Sequence, residues 1–193
     1  MREGAMTVAG LGALAFAGAI GIFSSTSVSG DPPAERQQPL ALAAPAETAS
    51  ADLMSKHLAI PVPTIAAKDL RPQFLDPRGD HGHEAIDIIA ARGEPVIAVD
   101  DGTIAKLFLS KPGGITIYQF DPTETYAYYY AHLDRYADGL AEGDIVRRGQ
   151  VIGYVGSTGN AAQPHLHFAI FRLGPEKQWW KGEAIDPYPA LTQ

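Results

Sequence analysis

Two histidines one residue apart, His165 and His167, follow a glycine-rich turn that begins at Gly156 and open an apolar stretch running to Phe171. On a β-strand, residues two apart point the same way, about 6.6 Å apart along the chain, so both imidazoles share a face. Leu166, between them, points to the opposite face and suits a core. Neutral imidazoles on one face suit a divalent metal or proton transfer. A pair of surface histidines on a half-exposed strand would carry the same pattern, so the choice depends on ligands supplied elsewhere in the chain.

Two further stretches offer them. His83 and Asp87 lie four residues apart in Arg78-Gly-Asp-His-Gly-His-Glu-Ala-Ile-Asp87. Extended backbone would hold them about 13 Å apart. Sharing one ion therefore requires a bend, which Gly79 and Gly82 ease upstream. Taken as a pair alone, His83 reads as loop surface and Asp87 as a strand-start residue. The second stretch, Tyr128-Tyr-Tyr-Ala-His132-Leu, ends an aromatic strand on a histidine, with Tyr128 and Tyr130 on the same face as His132. Tyrosines there read equally well as packing residues. The chain contains no cysteine. Disulfides, thiolate metal sites and a cysteine nucleophile are excluded, and any metal falls to His, Asp or Glu.

The elements that must position these residues are short. The chain has 193 residues and a formal charge of -7. From Ala5 to Phe23 it is uncharged and apolar, close to the roughly 20 residues a membrane span needs. Residues 1–30 are read as a hydrophobic helix, either an uncleaved membrane anchor or a cleaved signal, so the remainder is expected to be exported. Residues 31–57, rich in Pro and Ala and without a period, read as a disordered linker. A domain is expected over 58–193. In it, β-type runs alternate with Gly, Pro and Asp turns, giving strands near Asp87–Ile89, Pro95–Val99, Gly102–Leu109, Ile115–Phe120, Tyr126–His132, Val151–Val155 and Leu166–Phe171. Leu133–Leu140 alone hints at helix. The domain is expected to be mostly β, an antiparallel sheet or sandwich. Its acidity gives no general pull toward nucleic acid or an anionic envelope, so a wall substrate would be gripped by a shaped groove.

Taken in order, His83-x-x-x-Asp87, Tyr130-Ala-His132-Leu133 and Pro164-His165-Leu166-His167-Phe168 resemble the three motifs of the lysostaphin/LytM-type zinc metallopeptidases. So do Gly93-Glu-Pro-Val-Ile-Ala98, Gly149-Gln-x-Ile152-Gly153 and Gly156-Ser-Thr-Gly159. The resemblance covers roughly residues 60 to 190. It implies that His83, Asp87 and His167 bind one zinc in an open groove, and that His132 and His165 are the catalytic pair beside it. It further implies an endopeptidase of the periplasm or cell envelope acting on peptidoglycan peptides, with room for a protein regulator. Two imidazoles and one carboxylate leave zinc's fourth position to water, as in catalytic rather than structural sites. Glu84 stands where the family often has a small or aromatic residue. His81 is read as loop or outer shell, His57 as exposed, and Tyr128, Tyr130 and Asn160 as candidate groove residues. Trp179 and Trp180 read as packing anchors. The alternative is a non-catalytic envelope protein that binds wall or activates a hydrolase, although relatives of that kind have typically lost ligands. A lipoyl-type carrier lacks its attachment lysine here.

Overall fold

The computed structural model describes residues 51–79 and 81–193. The hydrophobic segment at 1–30 and most of the linker lie outside the described residues. Among those described, no helix is long and apolar enough to cross a membrane.

Val, Ile, Tyr and Phe recur between Gly-, Pro- and Asp-rich turns, a pattern that suits pleated strands with one buried face. The result is β1 (Pro77–Arg78), β2 (His81–Gly82), β3 (Ile86–Ile89), β4 (Pro95–Ile97), β5 (Gly102–Ser110), β6 (Gly114–Phe120), β7 (Tyr126–Tyr136), β8 (Ile145–Val146), β9 (Val151–Val155), β10 (His165–Leu173) and β11 (Gly182–Ile185), followed by a helix at Pro187–Leu191. β1 and β2 form a hairpin of their own. The other nine strands form one sheet in the order β11-β10-β7-β6-β5-β8, with β3 joined to β10 and the β4–β9 pair joined to β7. Every pairing is antiparallel, in agreement with the mostly-β expectation. All seven expected strands are present, and β1, β2, β8 and β11 are additional short ones.

The helix hinted at over Leu133–Leu140 is not formed. Leu133–Tyr136 continues β7 and pairs with β9, Leu133 opposite Val155 and Tyr136 opposite Gly153. Cross-strand hydrogen bonds and burial of Leu133 outweigh a weak helical preference.

β7 organises the sheet. Its first half pairs with β10 and its second half with β9. The changeover falls at His132, which has a left-handed φ of 61°. One face of the sheet carries the core: Tyr128 and Tyr130 from β7, Leu166, Phe168 and Ile170 from β10, Ile86 and Ile88 from β3, all buried. The tyrosine hydroxyls there are satisfied. Tyr130 Oη donates to Gln119 Oε1 (2.7 Å) and accepts from Val99 N (3.0 Å), and Tyr128 Oη donates to Asp100 Oδ2 (3.0 Å).

Residues 51–55 are helical, inside the stretch read as linker. Leu53 is buried in the core, and Lys56 Nζ sits 2.9 Å from Asp121 Oδ2 and 3.6 Å from Asp100 Oδ2. Ordered structure thus starts before Leu58. Leu53, with Met54 packed beside it, and the Lys56 ion pairs seat a segment whose composition is otherwise that of a linker.

Candidate metal centre and active-site groove

The antiparallel register sets Asp87 of β3 directly opposite His167 of β10, and Ala131 of β7 opposite His167 on its other side. Directly paired residues point to the same face. Asp87, His167 and Ala131 therefore form a row on the face away from the core, where small Ala131 leaves space. His83 enters from the turn before β3. The bend that brings it in lies at Glu84 itself, φ 55°, rather than at the upstream glycines. It is pinned by His83 N donating to Asp76 O (2.8 Å) and Glu84 N donating to Phe74 O (2.9 Å). His83 Nε2 consequently lies 3.0 Å from Asp87 Oδ1, far closer than extended chain would allow.

Three potential ligand atoms converge. His83 Nε2 to His167 Nδ1 is 3.1 Å, His167 Nδ1 to Asp87 Oδ1 3.1 Å, and His83 Nε2 to Asp87 Oδ1 3.0 Å. Ligands about 2.0–2.1 Å from a tetrahedral zinc lie roughly 3.3 Å from one another, so this triangle fits such an ion with modest widening. These three residues form the described group able to hold a metal ion. His83 Nδ1 is buried without a hydrogen-bond partner, so the ring's only polar engagement is through Nε2, at the cluster.

Around Asp87 the support is dense. Arg78 Nη2 donates to its other oxygen, Oδ2 (2.7 Å), and Gln73 Oε1 accepts from its backbone N (2.9 Å). Burial by itself would raise the Asp87 carboxyl, but hydrogen bonds from His167 and His83, with their charge whenever they are protonated, outweigh it and hold the group well below the usual carboxylate range. Burial pushes His167 down, with Asp87 opposing. Both effects favour a carboxylate and a neutral imidazole, the forms a metal requires.

His132 and His165 flank the cluster, with ring centroids 4.8 Å apart. His132 Nδ1 lies 2.8 Å from Thr158 O and His165 Nδ1 2.8 Å from Gln163 O. A carbonyl only accepts, so each Nδ1 carries the proton and each Nε2 keeps a free lone pair. His165 Nε2 lies 3.6 Å from Asp87 Oδ1. His132 is pushed below the ordinary histidine range, mainly by burial and further by His165 and His167, against the Thr158 hydrogen bond.

The groove that holds this cluster encloses about 810 Å³ and is also lined by His81, Glu84, Tyr129 and Asn160. His81 is exposed, its Nδ1 2.6 Å from Gly82 O, and it stays outside the triangle. His57 is exposed and does not line the groove. Tyr128 and Tyr130 are not groove residues: both are buried on the core face. Alternation counted back from His132 assigns them to its face, but the bulge there shifts the parity by one and puts Tyr129 in the groove instead. Tyr129, Gln73 and Arg78 were not legible in the sequence. Only Tyr129 had a signal, its cross-strand pairing with Ala169, and that needs the register.

An antiparallel sheet presenting a His-Asp-His triangle and two carbonyl-oriented histidines in an open groove defines a metallopeptidase-type site. The chain belongs to peptidase family M23, whose model matches residues 81–187. It is 36% identical over 143 residues to an L-Ala--D-Glu endopeptidase of Bacillus subtilis, covering 69% of this chain and 42% of that protein. It is 43% identical over 115 residues to the DD-carboxypeptidase/endopeptidase Mpg of Neisseria meningitidis serogroup B, covering 58% of this chain and 24% of that protein. Among solved structures, the catalytic domain of lysostaphin from Staphylococcus simulans superposes with a TM-score of 0.56 at 29% identity, over 66% of this chain and 96% of that one. The chain spans less than half the length of these two curated relatives.

Proposed function

We propose that the chain is an exported, zinc-dependent endopeptidase that hydrolyses peptide bonds in bacterial peptidoglycan crosslinks, with His83, Asp87 and His167 holding the metal and His132 and His165 as the catalytic pair. The observation that carries this reading is the triangle of ligand atoms 3.0–3.1 Å apart beside two histidines whose Nε2 atoms are free. Zinc in that triangle would lower the pKa of water to about 7 and polarise a carbonyl. The rest is work for side chains. One of the two free Nε2 atoms accepts a proton from the attacking water, and the protonated ring passes it to the leaving amine. The other imidazole, protonated at Nε2, donates to the carbonyl oxygen as it becomes anionic. The neutral state of His132 suits the first task; donating from Nε2 needs the imidazolium, because Nδ1 already donates to a carbonyl. Export and attachment to the membrane rest on the apolar run Ala5–Phe23, and the substrate on the peptidoglycan endopeptidases the chain resembles.

The test is metal content together with release of new amino groups from purified peptidoglycan, for wild type, His83→Ala and His132→Ala. The expected result is zinc near one per chain, lost in His83→Ala but kept in His132→Ala, with both variants inactive. A wild type that binds zinc yet releases no amino groups would replace this reading with a wall-binding or activator role.

A further inference from the structure

We propose that a row of aromatic side chains leading out of the metal groove is a sugar-binding platform, which seats a stretch of N-acetylated glycan beside the peptide in the groove; the inference rests on reading that groove as a peptidoglycan hydrolase site. The row begins at the cluster. Tyr129 lines the groove with its ring centroid 6.0 Å from that of His167. Its cross-strand partner Tyr118 on β6 follows at 4.6 Å. Trp179, from the connection between β10 and β11, lies 4.9 Å from Tyr118 and 5.2 Å from Phe108 of β5. Trp180 abuts Trp179 edge-on at 5.2 Å. The row crosses β10, β7, β6 and β5, about 14 Å at ordinary strand spacing.

These rings differ in what packing requires of them. Trp179 is half-buried and covers Tyr118 and Phe108, as a packing anchor should. Trp180 is 62% exposed and Phe108 39% exposed. An indole left this open at the end of a braced aromatic row adds little to the core, because Trp179 already closes that side of the sheet. Large exposed aromatics that form a contiguous row mark a binding surface. Three features select a sugar as occupant. Aromatic faces match the C–H face of a pyranose, and the exposed faces of Trp180 and Phe108 lie at the open end of the row. The row is continuous with the groove, and in peptidoglycan every peptide hangs from a glycan strand, so a groove that grips the peptide has sugar within reach. The charge of -7 disfavours an anionic surface and is indifferent to a neutral sugar.

The chain has only two tryptophans and both stand in this row, so intrinsic tryptophan emission reports on it alone. The experiment titrates the full chain with N-acetylglucosamine oligomers and follows that emission, for wild type, Trp180→Ala and Trp180→Phe. No hydrolysis is needed for the readout, so the inference fails or stands separately from the proposed activity. The expected result is saturable binding by wild type, weakened roughly tenfold in Trp180→Ala and largely retained in Trp180→Phe. Absence of saturable binding by wild type, or equal affinity in Trp180→Ala, overturns it. An emission shift with phosphatidylcholine vesicles but none with the oligomers would assign the row to a lipid surface instead, and overturns it equally.

Discussion

Asp87 is shared by four neighbours, and the division of labour between its two oxygens has a consequence. Oδ1 faces His83, His167 and, at 3.6 Å, His165, whereas Oδ2 is held by Arg78. Arg78 therefore fixes which oxygen points into the triangle. Arg78→Ala is expected to weaken zinc affinity by roughly 10- to 100-fold, the usual cost of removing an outer-sphere partner, with the fold unchanged by circular dichroism. His132 gives a prediction in pH. Burial lowers its pKa below 6.5, so the neutral, proton-accepting form persists to more acidic pH than for a free imidazole. If His132 is the base, activity rises as pH climbs through that depressed pKa, placing the acidic limb of the kcat/KM profile below 6.5. His132→Gln should lower kcat by about 10²- to 10⁴-fold and abolish that limb while leaving zinc content intact.

At the scale of elements, two loops interlock beside His132. A Cβ on Gly114, φ 65°, would sit 2.2 Å from Thr158 Oγ1, and one on Gly159 would meet Pro112 O at 2.2 Å. Thr158 O is the carbonyl that orients His132. Gly159→Ala should therefore lose activity more than stability accounts for, seen as a drop in kcat persisting well below the melting temperature. The β6–β7 turn carries the other prediction. Asp121 accepts from Thr123 Oγ1 (2.6 Å), Thr125 N (2.7 Å), Tyr126 N (2.8 Å) and Lys56 Nζ (2.9 Å). Burial would raise its pKa, but these donors prevail and lower it. A depressed folded-state pKa contributes stability that is complete above the unfolded value, about 3.9, and is lost as pH falls through the folded one. Asp121→Ala should cost roughly 3 kcal/mol at neutral pH and flatten the acid side of the stability profile, measured by urea denaturation between pH 2 and 7.

Over the whole molecule, the strands were legible because alternation and turn chemistry are local, and the gathering of five polar positions in one groove could be anticipated because their spacing and order matched a known pattern. What could not be read depends on register. The parity shift at His132 moved Tyr128 and Tyr130 out of the groove, and nothing local in Tyr-Tyr-Tyr-Ala-His announces a bulge. The bend at Glu84 is a left-handed non-glycine residue, held by backbone bonds to Phe74 and Asp76 that lie outside any sequence window around it. The helical turn at 51–55 depends on Leu53 finding a core made elsewhere. A bound ion would couple to all of this. At a thousandfold excess over Kd, zinc would add about 4 kcal/mol to the folded state, or roughly 10 °C in melting temperature for a chain of this size. Chelation should remove that increment from wild type and leave His83→Ala unaffected, read by calorimetry with and without chelator.

The row of Asp87, His167 and Ala131 across three strands also determines which length changes the family can absorb. Substitutions act on one side chain, but a single inserted or deleted residue within β3, β7 or β10 slides a strand past its neighbours and turns a ligand into the core. Additions in the exposed turn at 137–144 or in the connection at 174–181 leave that alignment untouched. Chain-length variation among relatives is therefore expected to collect in those loops, and since the connection at 174–181 carries Trp179 and Trp180 of the aromatic row, new specificities would arise by lengthening it while the pairing beneath stays in step.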